Sequence, residues 1–127
     1  MRPLRLGLIV NPVAGMGGRV GLKGTDGLSD IARQLGAEPV SEARTLRALR
    51  RLGAARNGIA VLAAGGAMGA AVAADAGLLC QVVAQPAGDE TTAIDTANAV
   101  RAMISAGIDL ILFAGGDGTA RDVHAIA

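Results

Sequence analysis

The stretch Gly115–Thr119, which reads Gly-Gly-Asp-Gly-Thr, carries the clearest chemical signal in this sequence of 127 residues. It follows an apolar run at 110–114 that is typical of a buried strand, and it precedes a helical pattern. Glycines let backbone N–H groups approach an anion closely, and a helix N-terminus adds partial positive charge, so the arrangement suits a phosphate. Asp117 opposes such an anion unless it binds Mg²⁺ or accepts a proton from an attacking hydroxyl. The alternative is a structural glycine turn in which Asp117 caps the helix.

A second glycine-rich stretch, residues 11–18, directly follows the first apolar run of the chain. Gly15 and Gly17 resemble the glycines of a phosphate-binding loop. Asn11 could hydrogen-bond a nucleotide or the Asp117 loop. The alternative is that Asn-Pro simply starts a turn. If both apolar runs are parallel strands of one sheet, the two loops lie at the same edge of that sheet, where such folds bind ligands.

Three further loops have a ligand interpretation and a structural one. Lys23 is the one lysine of the chain and lies in the loop 21–27, which lacks the Gly-Lys-Ser/Thr order of a Walker A motif. The stretch 65–69 predicts close packing of a helix on a strand, with a place in the ligand cleft as the alternative. Residues 90–92 are explained by helix capping, although a ligand contact is also open.

Isolated reactive side chains have simpler interpretations. His124 is the single histidine and cannot form a metal site or a triad alone. Cys80 is the single cysteine, which excludes an internal disulfide, and we expect it to be a buried small hydrophobic residue. The arginines between 44 and 56 are expected to form the solvated side of a helix. No residue is assigned as a metal ligand.

Composition excludes several classes of function. Phe113 is the one aromatic residue, so stacking on single-stranded nucleic acid is excluded, and the net charge of +1 gives no strong field for a polyanion. The apolar run at 6–10 is shorter than the roughly 7–15 residues of a signal peptide. The uncharged segment 57–74 is too rich in alanine and glycine for a membrane span. We therefore expect a cytoplasmic protein with neither nucleic acid nor membrane as a partner.

Short apolar runs bounded by glycine or proline alternate with helical stretches, which is typical of an α/β fold. Strands of this kind are buried on both faces, so we expect a three-layer open parallel sheet with helices on both faces. Strands are predicted at 4–10, 58–63, 81–84 and 108–114, and helices at 28–35, 41–56, 67–76, 93–106 and from about 120.

Capping signals define several of these helices. Ser41 is a plausible N-cap of the helix to residue 56, whose apolar stripe is Leu46, Leu49 and Leu52. Thr92 and Asp95 form a capping box.

The helix that follows this capping box is expected to end with Gly107 at C′. Its predicted inner face consists of Ile94, Ala97, Val100 and Ile104.

A second capping box, Thr119 with Asp122, predicts a helix that begins at about Ala120. The chain stops on an apolar Ala-Ile-Ala two turns later, from which we expect it to be the N-terminal part of a longer protein.

Taken together, the two glycine-rich loops resemble those of the NAD kinase and diacylglycerol kinase superfamily. The runs 7–27 and 110–123 are most similar to the ATP-NAD kinase-like proteins, and 65–69 and 90–96 also look like landmarks of that family. The resemblance spans nearly the whole chain. It implies a Rossmann-like N-terminal nucleotide-binding domain, here residues 1–127, and a β-rich C-terminal domain that this chain lacks.

The resemblance also implies a reaction, which is the transfer of a phosphoryl group from ATP or polyphosphate, with Mg²⁺, to the adenosine 2′-hydroxyl of NAD. Asp117 would then be the base for that hydroxyl. The residues implied to hold phosphates or the nucleotide are Gly115, Gly116, Gly118 and Thr119, beside Asn11, Gly15 and Gly17 of the first loop.

Two other functions remain open at this point. A lipid or sphingoid kinase of the same superfamily would need a membrane-facing apolar or basic surface, and a non-catalytic nucleotide-binding module would not need Asp117. For the kinase, NAD and ATP are the expected partners and the full-length protein is expected to be a homo-oligomer. Because family members build part of the site from the C-terminal domain, the isolated chain is expected to lack turnover.

Overall fold

The computed structural model describes residues 2–11, 41–86, 92–115 and 117–127, and the backbone but not the side chain of Asp117. The predictions for the loops at 12–18 and 21–27, the helix at 28–35 and residues 90–91 lie outside the described residues.

Four parallel strands form one sheet in the described part of the chain, in the order β3-β2-β1-β4. They alternate with helices, so the predicted α/β fold with a parallel sheet is confirmed. The strands are β1 (Leu4–Val10), β2 (Ile59–Ala64), β3 (Cys80–Ala84) and β4 (Leu110–Ala114), and the α-helices are α1 (Ser41–Arg50), α2 (Ala70–Asp75), α3 (Ala93–Ser105) and α4 (Asp117–Ile126). Each strand lies within one or two residues of its predicted bounds.

Helices lie on both faces of the sheet along β1 and β2, which makes three layers. The expectation that every strand is buried on both faces is wrong for β3 and β4, which lie at the edges of the described sheet and are partly exposed. Successive residues of a strand point to opposite faces, so Leu8 and Val10 of β1 pack against α1 and α2, whereas Ile9 packs beneath α3 and α4. The first core cluster contains Leu8, Val10, Leu49, Val61, Ala63, Val72, Ala73, Ala76 and Leu78, and the second contains Ile9, Ala64, Met68, Ala99, Val100, Met103 and Val123.

Helix α1 is shorter than the sequence predicts. Its apolar stripe is confirmed, since Leu49 is buried and Leu46 and Leu52 pack against the first core cluster. However, Ser41 lies inside the helix, where its carbonyl accepts a hydrogen bond from Thr45. The helix ends at Arg50 because Gly53 adopts a positive φ of 53°, and a 3₁₀-helix over Gly53–Gly58 leads into β2.

The capping box of α3 is confirmed, and the predicted inner face is correct in part: Val100 is fully buried and Ala97 is half-buried, but Ile94 and Ile104 are wrong. Thr92 and Asp95 exchange the expected hydrogen bonds, and Gly107 follows the helix with a φ of 79°. Ile94 and Ile104 are 71% and 49% exposed. The buried face is Asp95, Thr96, Ala99, Val100 and Met103.

The reason for this rotation of α3 is the fit of Met103 over a glycine of the central strand. A Cβ on Gly7 would lie 2.7 Å from the Met103 Sδ atom, so the methionine occupies the space that this glycine leaves. Ala99, one turn earlier, is fully buried and lets the helix approach the sheet closely. The close approach of small residues therefore determines the face, rather than the largest hydrophobic side chains.

The stretch 65–69 shows the close packing that was expected of it. The helix predicted at 67–76 is split into a 3₁₀-turn, Gly66–Met68, and α2. Gly69, with a φ of 153°, separates them, and a Cβ there would lie 2.9 Å from the Leu8 carbonyl oxygen. This glycine thus lets α2 start directly against β1, as a residue with a side chain could not.

Asp109 joins the amino ends of β1 and β4. Its carboxylate accepts two hydrogen bonds from the Arg2 guanidinium, at 3.0 and 2.6 Å, and one from the backbone N–H of Arg5 at 2.9 Å. The hydrogen bonds from Arg2 and then from Arg5 hold the pKa of Asp109 below its usual value. A lowered pKa means that the folded state binds this proton less tightly than the unfolded state does.

We expect Asp109→Asn to lower the free energy of unfolding near neutral pH. The stabilisation that the ionised Asp109 carboxylate provides is fully present above the unfolded-state pKa of aspartate, about 3.9. It is lost as pH falls through the lower folded-state value, so the variant and the parent should converge in acid. Urea unfolding at several pH values measures this difference.

Arg2→Gln supplies the matched control, because Arg2 is the main cause of the lowered pKa. In the Arg2→Gln background, Asp109→Asn should show a smaller pH-dependent difference. An unchanged difference would mean that Arg2 does not stabilise the carboxylate.

Candidate functional site

The strand order reverses between β1 and β4, and the space outside the carboxyl ends of these two strands is called the crevice. The chain passes from β1 outward to β2 and β3, and then returns to place β4 on the other side of β1. In open parallel sheets, ligands bind at this point of reversal, outside the carboxyl ends of the strands. Val10 pairs with Ala114, so both strands end at the same level and their following loops start side by side.

Asn11 links the two loops across this crevice. Its backbone N–H donates a hydrogen bond to the Ala114 carbonyl oxygen at 2.8 Å, and its side-chain Nδ2 donates to Thr119 Oγ1 at 3.2 Å. The sequence left open whether Asn11 contacts a nucleotide or the Asp117 loop. In the described structure it contacts the loop that carries Asp117.

Thr119 is not the N-cap that the sequence predicted. Helix α4 begins at Asp117, so Thr119 lies in its first turn and is only 4% exposed. The first turn therefore starts directly in the glycine-rich loop, which brings the partial positive charge of the helix N-terminus to the crevice. The hydroxyl that was expected to cap the helix instead accepts the hydrogen bond from Asn11.

Gly115 packs closely against Thr119, so a side chain at this position would force Thr119 to shift. A Cβ there would overlap Thr119 Oγ1 and would lie 2.6 Å from Thr119 Cβ. The loop thus turns back on itself within five residues. Gly115 and Gly118 are both exposed, which leaves room for a ligand beside their backbone.

The structure does not describe several of the predicted site residues. Gly15, Gly17 and Gly116 lie outside the described residues, as does the side chain of Asp117.

The described residues contain no group of three or more His, Cys, Asp or Glu side chains that could hold a metal ion. Within the same residues, no helix is both long and apolar enough to cross a membrane.

The single histidine and the single cysteine lie apart from the crevice loops. His124 is exposed on α4, where it lines a groove of about 1040 Å³ with Leu110 and Phe113. Cys80 packs against the first core cluster as a small hydrophobic residue, but it is half-buried rather than buried as expected, because β3 lies at an edge of the described sheet. Arg44, Arg47, Arg50 and Arg51 are exposed, which agrees with a solvated helix face.

The hydrogen bond between Asn11 and Thr119 could not be found from the sequence. The two residues are 108 positions apart, and they meet because β4 pairs with β1 rather than with β3. A signal was present in the positions of the two residues, since Asn11 directly follows the apolar run of β1 and Thr119 ends the glycine-rich stretch that follows the apolar run of β4. The missing information was the order of the strands.

Gly115→Ala tests the close packing of this loop. The added methyl group must displace Thr119, so we expect the variant to lose about 1–3 kcal/mol of stability, as overpacking does. Gly58→Ala is the matched control, because a Cβ at Gly58 meets nothing within 4 Å. Denaturant unfolding of both variants measures the effect, and equal stabilities would contradict the packing described.

Comparison with known proteins identifies the family. The model of the ATP-NAD kinase N-terminal domain matches residues 6–127. No curated protein and no solved structure matches the chain. Since the family model covers almost the entire sequence, and the sheet has the three-layer α/β form that the resemblance implies, the chain belongs to the ATP-NAD kinase N-terminal domain family.

Proposed function

We propose that this chain carries the nucleotide-binding loops of a kinase that phosphorylates NAD at the adenosine 2′-hydroxyl, with ATP or polyphosphate as the donor, to give NADP. The observation that carries the proposal is the crevice between β1 and β4, where Asn11 meets the glycine-rich loop. Membership of the family supports kinase chemistry at this crevice. The position of the loop at the reversal of strand order supports nucleotide binding there.

In the proposed reaction, the 2′-hydroxyl oxygen of NAD attacks the terminal phosphorus of the donor. A new oxygen–phosphorus bond forms while the bond between that phosphorus and the bridging oxygen breaks, and the bridging oxygen leaves with ADP or with the polyphosphate chain shortened by one phosphate. Asp117 accepts the proton of the hydroxyl, which makes the attacking oxygen a better nucleophile. This role requires a carboxylate at the start of α4, where the sequence has Asp117.

The remaining loop residues bind rather than react. Backbone N–H groups of Gly115, Gly116 and Gly118 are suited to phosphate oxygens, because glycine leaves them accessible. Gly15 and Gly17 are assigned to the nucleotide from the β1 side of the crevice. Mg²⁺ bound with the donor would neutralise phosphate charge. Asp117 is the one acidic residue of the stretch 115–119.

Asp117→Asn in the protein made from its complete reading frame tests the proposed base. We expect NADP formation from NAD, ATP and Mg²⁺ to fall by about 10²–10⁴, the usual contribution of general-base catalysis. Asp122→Asn removes the same charge from the second turn of α4 and is the matched control, with a rate close to that of the parent protein.

Three results would count against parts of this proposal. If Asp117→Asn keeps the parental rate, Asp117 is not the base. If the parent protein phosphorylates a lipid or a sphingoid base and leaves NAD unchanged, that molecule is the acceptor instead of NAD. Binding of ATP by the parent protein without transfer to either acceptor would favour a regulatory nucleotide-binding module.

A further inference from the structure

Asn11 is bonded to both ends of the glycine-rich loop. Its backbone N–H reaches Ala114, the residue before the loop, and its side chain reaches Thr119, the residue after Gly118. The distances are 2.8 Å and 3.2 Å, respectively. One residue at the end of β1 is therefore bonded both to the point where the loop leaves β4 and to the first turn of α4.

The side-chain bond lies in a protected environment. Thr119 is 4% exposed and Asn11 is half-buried, so water cannot readily replace the amide if it is removed. A buried hydroxyl that loses its partner is costly, which gives the bond a strong influence on the position of Thr119. The backbone bond of Asn11, by contrast, survives any side-chain substitution.

A movement of Thr119 would be passed directly to the loop. Gly115 and Thr119 are in close contact, so Thr119 cannot shift toward Gly115 without displacing it. Asp117 lies between them in the chain, two residues from each. The bond from Asn11 thus acts on the position of Asp117 from outside the loop, without requiring any contact with a ligand.

We propose that Asn11 is a positioning residue, which acts through Thr119 to hold the glycine-rich loop and Asp117 in place for phosphoryl transfer. This inference rests on the proposed function for its kinetic consequence, but its structural part does not. It assigns Thr119 to the shaping of the loop. It also predicts that Asn11 affects kcat more than the KM for NAD.

The kinetic test compares Asn11→Ala, Thr119→Val and the double variant in the protein made from its complete reading frame. Each single variant should lower kcat by about 10-fold or more, since a misplacement of about 1 Å can cost about 10²-fold. Because both substitutions remove the same bond, the double variant should be no slower than the slower single one. Thr119→Ser keeps the hydroxyl and should recover most of the kcat lost in Thr119→Val.

Thr45→Val is the matched control for the loss of a buried threonine hydroxyl. Thr45 is also 4% exposed, and its hydroxyl donates to the Ser41 carbonyl oxygen within α1. This variant should lose stability without a change in kcat. If Asn11→Ala fails to fold, Asn11→Leu keeps the approximate shape of the side chain and removes the same donor.

Amide hydrogen exchange of the segment 114–120 provides a measurement that does not depend on activity. Exchange there should become faster in Asn11→Ala and in Thr119→Val, and should stay at the parental rate in Thr45→Val. If the parent protein transfers no phosphate to NAD, the proposed function fails, and the exchange rates alone decide the positioning role.

Two results would overturn the inference. Unchanged exchange of 114–120 in both variants would show that the bond does not hold the loop. A double variant whose kcat falls by the product of the two single effects would show that Asn11 acts independently of Thr119, as a residue that contacts the nucleotide would.

Discussion

The parallel pairing of β1 with β4 determines where the two loops of the candidate site begin. It aligns Val10 with Ala114, so that the residues after each strand start at the same edge of the sheet. Hydrogen bonds of the ladder continue one residue further, from Asn11 to Ala114. Without this pairing, the glycine-rich loop after β4 would have no neighbour from the N-terminal part of the chain.

Small residues allow the layers that support this pairing to come close. Gly7 accommodates Met103 of α3 on one face, and Gly69 lets α2 start against the Leu8 carbonyl on the other. Phe113 is the sole aromatic residue of the sequence, and it is partly exposed. The core therefore depends on the close fit of small and aliphatic side chains. It holds β1 between two helical layers and thereby fixes the level at which the two loops begin.

Local features of the fold could be predicted from the sequence. The apolar runs gave the strands to within one or two residues, and the Thr92–Asp95 capping box gave the start of α3, because these signals depend on nearby residues alone. The buried face of α3 could be predicted only in part, because the position of Met103 depends on the space above Gly7 in β1, far away in the sequence. Thr119 was assigned to a helix cap for the same reason, because its actual partner is Asn11.

In the candidate site, too, local features could be predicted from the sequence and contacts between distant residues could not. The composition of the loop 115–119 and its place after a strand pointed to phosphate chemistry and to the family. The sequence did not provide the strand order, which brings Asn11 beside that loop and makes the crevice. Pairing between distant strands is set by the packing of the whole sheet, and a single sequence contains no local signal for it.

Backbone amide chemical shifts during a titration with ATP and Mg²⁺, in the protein made from its complete reading frame, measure whether the nucleotide binds at the crevice between β1 and β4. We expect the largest changes at Asn11, Gly115 and Gly118, at the carboxyl ends of the two strands, and no change at Arg5 and Asp109, at their amino ends. Changes confined to those amino ends, or to the groove beside His124, would contradict binding at the crevice.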